Sequence, residues 1–147
     1  MAAVTDAFVL DLRTRAARVP ALPVRTLTAA EVAVAVRHAA DEGRLDLRLD
    51  LSAMKRIVID PDARTARVQP GASAEELWDA AATWGLAPLV DRGRLVLPDL
   101  VAAQLVTGDG SLVEADAELL REIRTGRATG VVVDATYRLH AAAALRR

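Results

Sequence analysis

The chain has 147 residues, 52% of them hydrophobic, 27% charged and 3% aromatic, with a formal net charge of −1. Length and balance describe one compact domain with a real core, not a disordered segment. The near-neutral charge gives no field for nucleic acid or an anionic membrane, the few aromatics leave little for base stacking, and the absence of cysteine excludes disulfides, thiolate metal sites and a cysteine nucleophile.

Asp6 to Val19 reads as a helix, ended by Pro20 and Pro23, and Leu22 to Thr26 as a short first strand. Thr28 and Glu31 then form a capping box, and Val32, Val36 and Ala39 make an apolar stripe that Val34 and Ala35 widen. Gly43 ends this helix as a left-handed cap. Leu45, Leu47, Leu49 and Leu51 alternate with polar residues, as in a strand with one wet face.

Residues 51–71 organise the rest. Ile57, Val58 and Ile59 are β-branched, Asp60-Pro61-Asp62 is a turn, and Thr65 to Gln69 returns as a second strand. Pro70-Gly71 stops it, and Ser73 with Glu76 caps a helix over Ala74–Trp84. Gly85 closes that helix. Pro88 and Asp91-Arg92-Gly93 read as loop and turn, Arg94–Leu97 as a short strand. Leu100–Thr107 and Ser111–Ala115 form a hairpin across Gly108-Asp109-Gly110. A short helix follows over Ala117–Arg124, capped by Asp116. Val131–His140 is the last strand, with Val131, Val133, Ala135, Tyr137 and Leu139 expected on one face.

The order of these blocks resembles the flavin-binding domain of the FAD-linked oxidases, the p-cresol methylhydroxylase or berberine-bridge type. The resemblance is carried by Leu51–Gly71, the pair Gly85-Leu86, Leu100–Ala115 and Gly130–His140, with Val24–Gly43 matching a first strand and helix. It implies an α+β fold, a reduced two-lobed FAD-binding architecture with a mixed β-sheet and two main helices. Residues 1–147 would form one such unit, with lobes of about 20–71 and 72–140.

The resemblance also implies where a flavin's phosphates would sit: in glycine-rich turns, whose backbone amides approach an anion closely. The loop expected after the second strand is missing, since Asp50 runs straight into Leu51-Ser52. The insert before Leu100 is short and holds one glycine, Gly93. The run before the last strand reads Arg124-Thr125-Gly126-Arg127-Ala128-Thr129-Gly130. Only Gly71 and Gly130 stand where a retained flavin would need them. The expectation is a scaffold without its cofactor, FAD being the alternative.

Other chemistry is thin. His38 and His140 are the only histidines, so no transition-metal site is expected. The aspartates fall in turns and caps, and Ser52, Ser73 and Ser111 lack a nucleophile-elbow context. Trp78 and Trp84 have two readings: they pack their helix onto the sheet, or they line a hollow left between that helix and the last strand. Gln104 and Tyr137 would be polar handles there, core hydrogen bonding being their other role. Three functions stay open. The first is a flavin-free binder of an apolar small molecule, in its enzymatic form a cofactor-independent cyclase of secondary metabolism. The second is an FAD-dependent oxidoreductase or a subunit of one. The third is a partner-binding scaffold, for instance a homodimer. No run approaches the ~18 apolar residues of a membrane span. Met1–Leu12 lacks a basic start and holds two aspartates, so a cytoplasmic protein is expected.

Overall fold

The computed structural model describes residues 24–43 and 47–145. The helix expected over Asp6–Val19 lies outside them, as do Leu22 and Leu45.

β1 (Val24–Arg25) pairs in parallel with β2 (Leu49–Asp50), and α1 (Ala29–Asp41) crosses between them. Thr28 Oγ1 accepts from the Glu31 N–H at 3.1 Å. The Glu31 carboxylate accepts from the Leu27 N–H at 2.6 Å, one residue earlier than a reciprocal capping box requires. Val32, Val36 and Ala39 are buried as the stripe predicts, whereas Val34 is 65% exposed.

β3 (Ile57–Asp60) and β4 (Thr65–Val68) form the expected hairpin, with Asp60 Oδ1 accepting from the Ala63 N–H inside the turn. α2 (Ala74–Ala82) starts with a complete Ser73–Glu76 capping box. It ends two residues before Trp84, because the chain turns through Gly85 at φ +70°. β5 (Leu86–Ala87) follows, then a small hairpin of β6 (Val90–Asp91) and β7 (Arg94–Leu95) where a loop was expected. The strand predicted as far as Leu97 stops at Leu95. Leu97–Asp99 is a 3₁₀ turn, and Pro98 occupies its first turn, where a missing N–H does no harm.

β8 (Leu100–Val106), β9 (Leu112–Glu114), α3 (Ala117–Arg124) and β10 (Val131–Arg138) complete the main elements. β11 (His140–Ala141) pairs back onto β5. The main sheet has five strands in the order β3-β4-β10-β8-β9, antiparallel throughout. The hairpin before residue 71 thus shares one sheet with strands that follow it. The fold is α+β, and among the described residues parallel pairing is confined to β1 and β2.

One face of this sheet packs on α2 and α3 through Leu77, Ala81, Leu120 and Ile123. The opposite face packs on α1 through Val106, Val131 and Val133. The faces are assigned by a register shift in β10 between Val132 and Asp134. A bulge there puts two successive residues, Val133 and Asp134, on the same side. The single-faced strand expected from Val131 to Leu139 is therefore corrected: Val131 and Val133 face α1, while Ala135, Tyr137 and Leu139 face α2 and α3.

Candidate functional site

Gly71 and Gly130 were the residues a flavin would need. At Gly71 the side-chain position is filled by the chain itself. A Cβ there would lie 2.5 Å from the Leu51 carbonyl oxygen, 2.6 Å from that of Ser52 and 2.8 Å from that of Met54. The Gly71 N–H donates to the Met54 carbonyl at 2.7 Å. At Gly130 a Cβ would meet Leu105 Cδ1 at 2.5 Å and the Val106 carbonyl at 2.8 Å. A phosphate cradle must present N–H donors to the anion. These two glycines turn their open sides to oxygens and a methyl group, and they do not fit that role.

The space between α2 and β10 is closed. Leu77, Ala81, Ala135, Tyr137 and Leu139 fill it as part of one buried cluster. The hollow expected there, and with it either ligand reading at that place, is overturned, since interiors pack to near-crystal density. Trp78 and Trp84 are not in that cluster. They are 44% and 55% exposed, on α2 and in the turn after it, so they do not belong to the buried helix–sheet core. Leu77 and Ala81 alone supply the buried stripe of α2. Tyr137 is 2% exposed, and its hydroxyl has no hydrogen-bond partner among the described residues. Burial pushes its ionisation well above the ordinary tyrosine value.

Gln104 is elsewhere, in a polar hollow of about 280 Å³ on the α1 side of the sheet. Arg67, Glu114, Asp134 and Thr136 line it with Gln104. Arg67 donates to Asp134 at 2.6 Å, which uses the one cation present. Glu114 and Gln104 sit opposite one another in β9 and β8. Two carboxylates against one paired guanidinium make this surface unfavourable for a pyrophosphate. The four residues proposed as one pocket are thus dispersed over three places.

The larger hollow, about 440 Å³, lies between α1 and the β1–β2 pair. Val24, Val34, Ala35, Ala39 and Leu47 give it an apolar lining, with Arg25, Thr26, Glu31 and His38 as its polar residues. Volume and lining are those of a small-molecule site. Sequence reasoning missed it. Its signal was Val34, an apolar residue just off the buried stripe of α1 and left in the open by it.

His140 holds a partner that no sequence pattern pointed to. Its Nε2 is 2.7 Å from Asp99 Oδ2, a carboxylate that is itself buried. His38 is exposed and 3.3 Å from Glu42, its neighbour one turn on. Among the described residues no cluster could hold a metal ion, and no helix is long and apolar enough to cross a membrane.

A scan against protein-family models and a search of curated proteins return no match. Solved structures do match. 6-Hydroxy-D-nicotine oxidase from Arthrobacter nicotinovorans is 25% identical, with a TM-score of 0.73, over 92% of this chain and 39% of that one. BBE-like protein 28 from Arabidopsis thaliana is 18% identical, with a TM-score of 0.74, over 93% and 38%. A berberine bridge enzyme variant in complex with (S)-reticuline is 17% identical, with a TM-score of 0.71, over 83% and 34%. The chain therefore spans less than two fifths of these proteins. Over that span, it has the fold of the flavin-binding region of the FAD-linked oxidases.

Proposed function

We propose that this chain is a flavin-free small-molecule-binding protein on an FAD-linked-oxidase scaffold, with the α1–β1–β2 hollow as its site. The observation that carries this is the pairing of that apolar hollow with two glycines whose open sides are filled by the chain's own backbone oxygens and the Leu105 methyl. The enzymatic form of the proposal is a cofactor-independent cyclase. Such a site needs no nucleophile, because holding the two ends of one molecule near attack geometry removes much of the entropic barrier to ring closure.

The competing reading, an FAD-dependent oxidoreductase, is favoured by the kinship of the fold to oxidases. One experiment separates them. The purified protein is expected to be colourless and to take up no added FAD by equilibrium dialysis, while an apolar probe perturbs the NMR methyl signals of Val24, Val34 and Leu47. A yellow preparation, or saturable uptake of FAD, overturns the proposal.

A further inference from the structure

We infer that the α1–β1–β2 hollow selects a carboxylic acid with an apolar body, and that Arg25 is the residue that selects it. The inference rests on the reading of that hollow as a small-molecule site.

Three ionisable side chains line the hollow, and two are engaged. The Glu31 carboxylate accepts from the Leu27 N–H at the start of α1. His38 Nε2 lies 3.3 Å from the Glu42 carboxylate. Arg25 makes no hydrogen bond and no ion pair among the described residues. Its register partner in β2 is the acidic Asp50. Asp50 is already served: its Oδ1 accepts from the Ser52 hydroxyl at 2.6 Å and from the Ser52 N–H at 3.0 Å. Those two bonds are the main reason its ionisation lies below the ordinary aspartate value, with Arg25 contributing least.

An uncommitted guanidinium at an apolar hollow is a specific arrangement. Its planar fork matches a carboxylate with two parallel N–H···O bonds, which an ammonium group cannot do. Val34, 65% exposed on a helix whose other valines are buried, supplies apolar surface that a hydrocarbon body would cover. Glu31 lies on the same lining and disfavours a second negative charge, so a monocarboxylate with its acid end at Arg25 is the best fit.

The probes are decanoate and 1-decanol, which share a chain and differ in the head group. Calorimetric titration of the full chain is expected to show decanoate binding at least about tenfold more tightly, the effect of a charge-assisted hydrogen bond. Arg25→Gln should bring the two affinities together, and Arg25→Lys should recover only part of the difference. Ala35→Trp should abolish binding of both by filling the hollow. Val34→Asp serves where that variant does not fold, because its position is exposed, and it should weaken decanoate more than decanol. Equal affinities in the parent protein, or a preference that survives Arg25→Gln, overturn the inference while leaving the hollow as a site. Binding of both probes that neither Ala35→Trp nor Val34→Asp disturbs, or no binding at all, overturns the hollow reading and this inference together.

Discussion

His140 Nε2 stands 2.7 Å from Asp99 Oδ2 and ties β11 to the 3₁₀ turn that launches β8. The two residues are 41 positions apart in the chain. Asp99 is 7% exposed, so its carboxylate depends on this one side-chain partner. Removing either residue should cost about 2 kcal/mol, the range for a hydrogen bond to a charged group. A double-mutant cycle with Asp99→Ala and His140→Ala, read by urea denaturation, should give a coupling above about 1 kcal/mol. Additive losses would show that the contact contributes nothing.

Gly71→Ala should be among the most damaging single-methyl changes in the chain. Its Cβ has three backbone carbonyls within 2.8 Å, and backbone oxygens cannot swing aside as a side chain can. The expected loss is about 3 kcal/mol or failure to fold. Gly43→Ala is the control. It has a positive φ of 67° and open space around it, so only the left-handed backbone is strained, at about 1 kcal/mol. Equal losses in thermal or urea unfolding would contradict the close packing at Gly71.

Tyr137→Phe should stabilise the protein by about 1 kcal/mol. The ring is buried among Leu100, Ala66 and their neighbours, and its hydroxyl has no partner among the described residues. Deleting an unsatisfied buried polar atom removes its desolvation cost without opening a cavity. A loss of stability in Tyr137→Phe would mean that the hydroxyl is bonded after all.

Tryptophan fluorescence should be that of solvent-exposed indoles, red-shifted in the native state and readily quenched by iodide. Trp78 and Trp84 are the only tryptophans and both are largely open. Trp78→Gln should shift stability by no more than about 0.5 kcal/mol. A blue-shifted, unquenched native spectrum would place the indoles in an interior the fold does not give them.

The turn between β8 and β9 should carry an acid-sensitive part of the stability. Asp109 Oδ1 accepts from the Thr107 hydroxyl at 2.6 Å and from the Ser111 N–H at 3.0 Å, and these bonds, the hydroxyl first, hold its pKa at about 2 against an ordinary 3.8. The folded value is the lower one. The contribution is therefore complete above the unfolded value and lost as pH falls through about 2. Asp109→Asn should be less stable than the parent at neutral pH, with the gap closing across that acid window. A gap that does not change with pH would remove the charge from the explanation.

Much of this architecture was open to reading one residue at a time. Thr28, Ser73 and Asp116 cap α1, α2 and α3, Asp60 and Asp109 shape the hairpin turns, and the apolar spacing of α1 names its buried Val32, Val36 and Ala39. The caps and turns depend on atoms within a few positions of one another, so composition and spacing suffice for them. What only the tertiary structure decided depends on residues far apart in the chain. The bulge in β10 turns Val133 towards α1 and Asp134 towards Arg67, and the carbonyls of Leu51, Ser52 and Met54 close over Gly71. α2 buries Leu77 and leaves Trp78 in water, while α1 leaves Val34 bordering a hollow beside Arg25. Register between strands and the choice of face are set by pairings across the sheet, and a local pattern does not contain its partner.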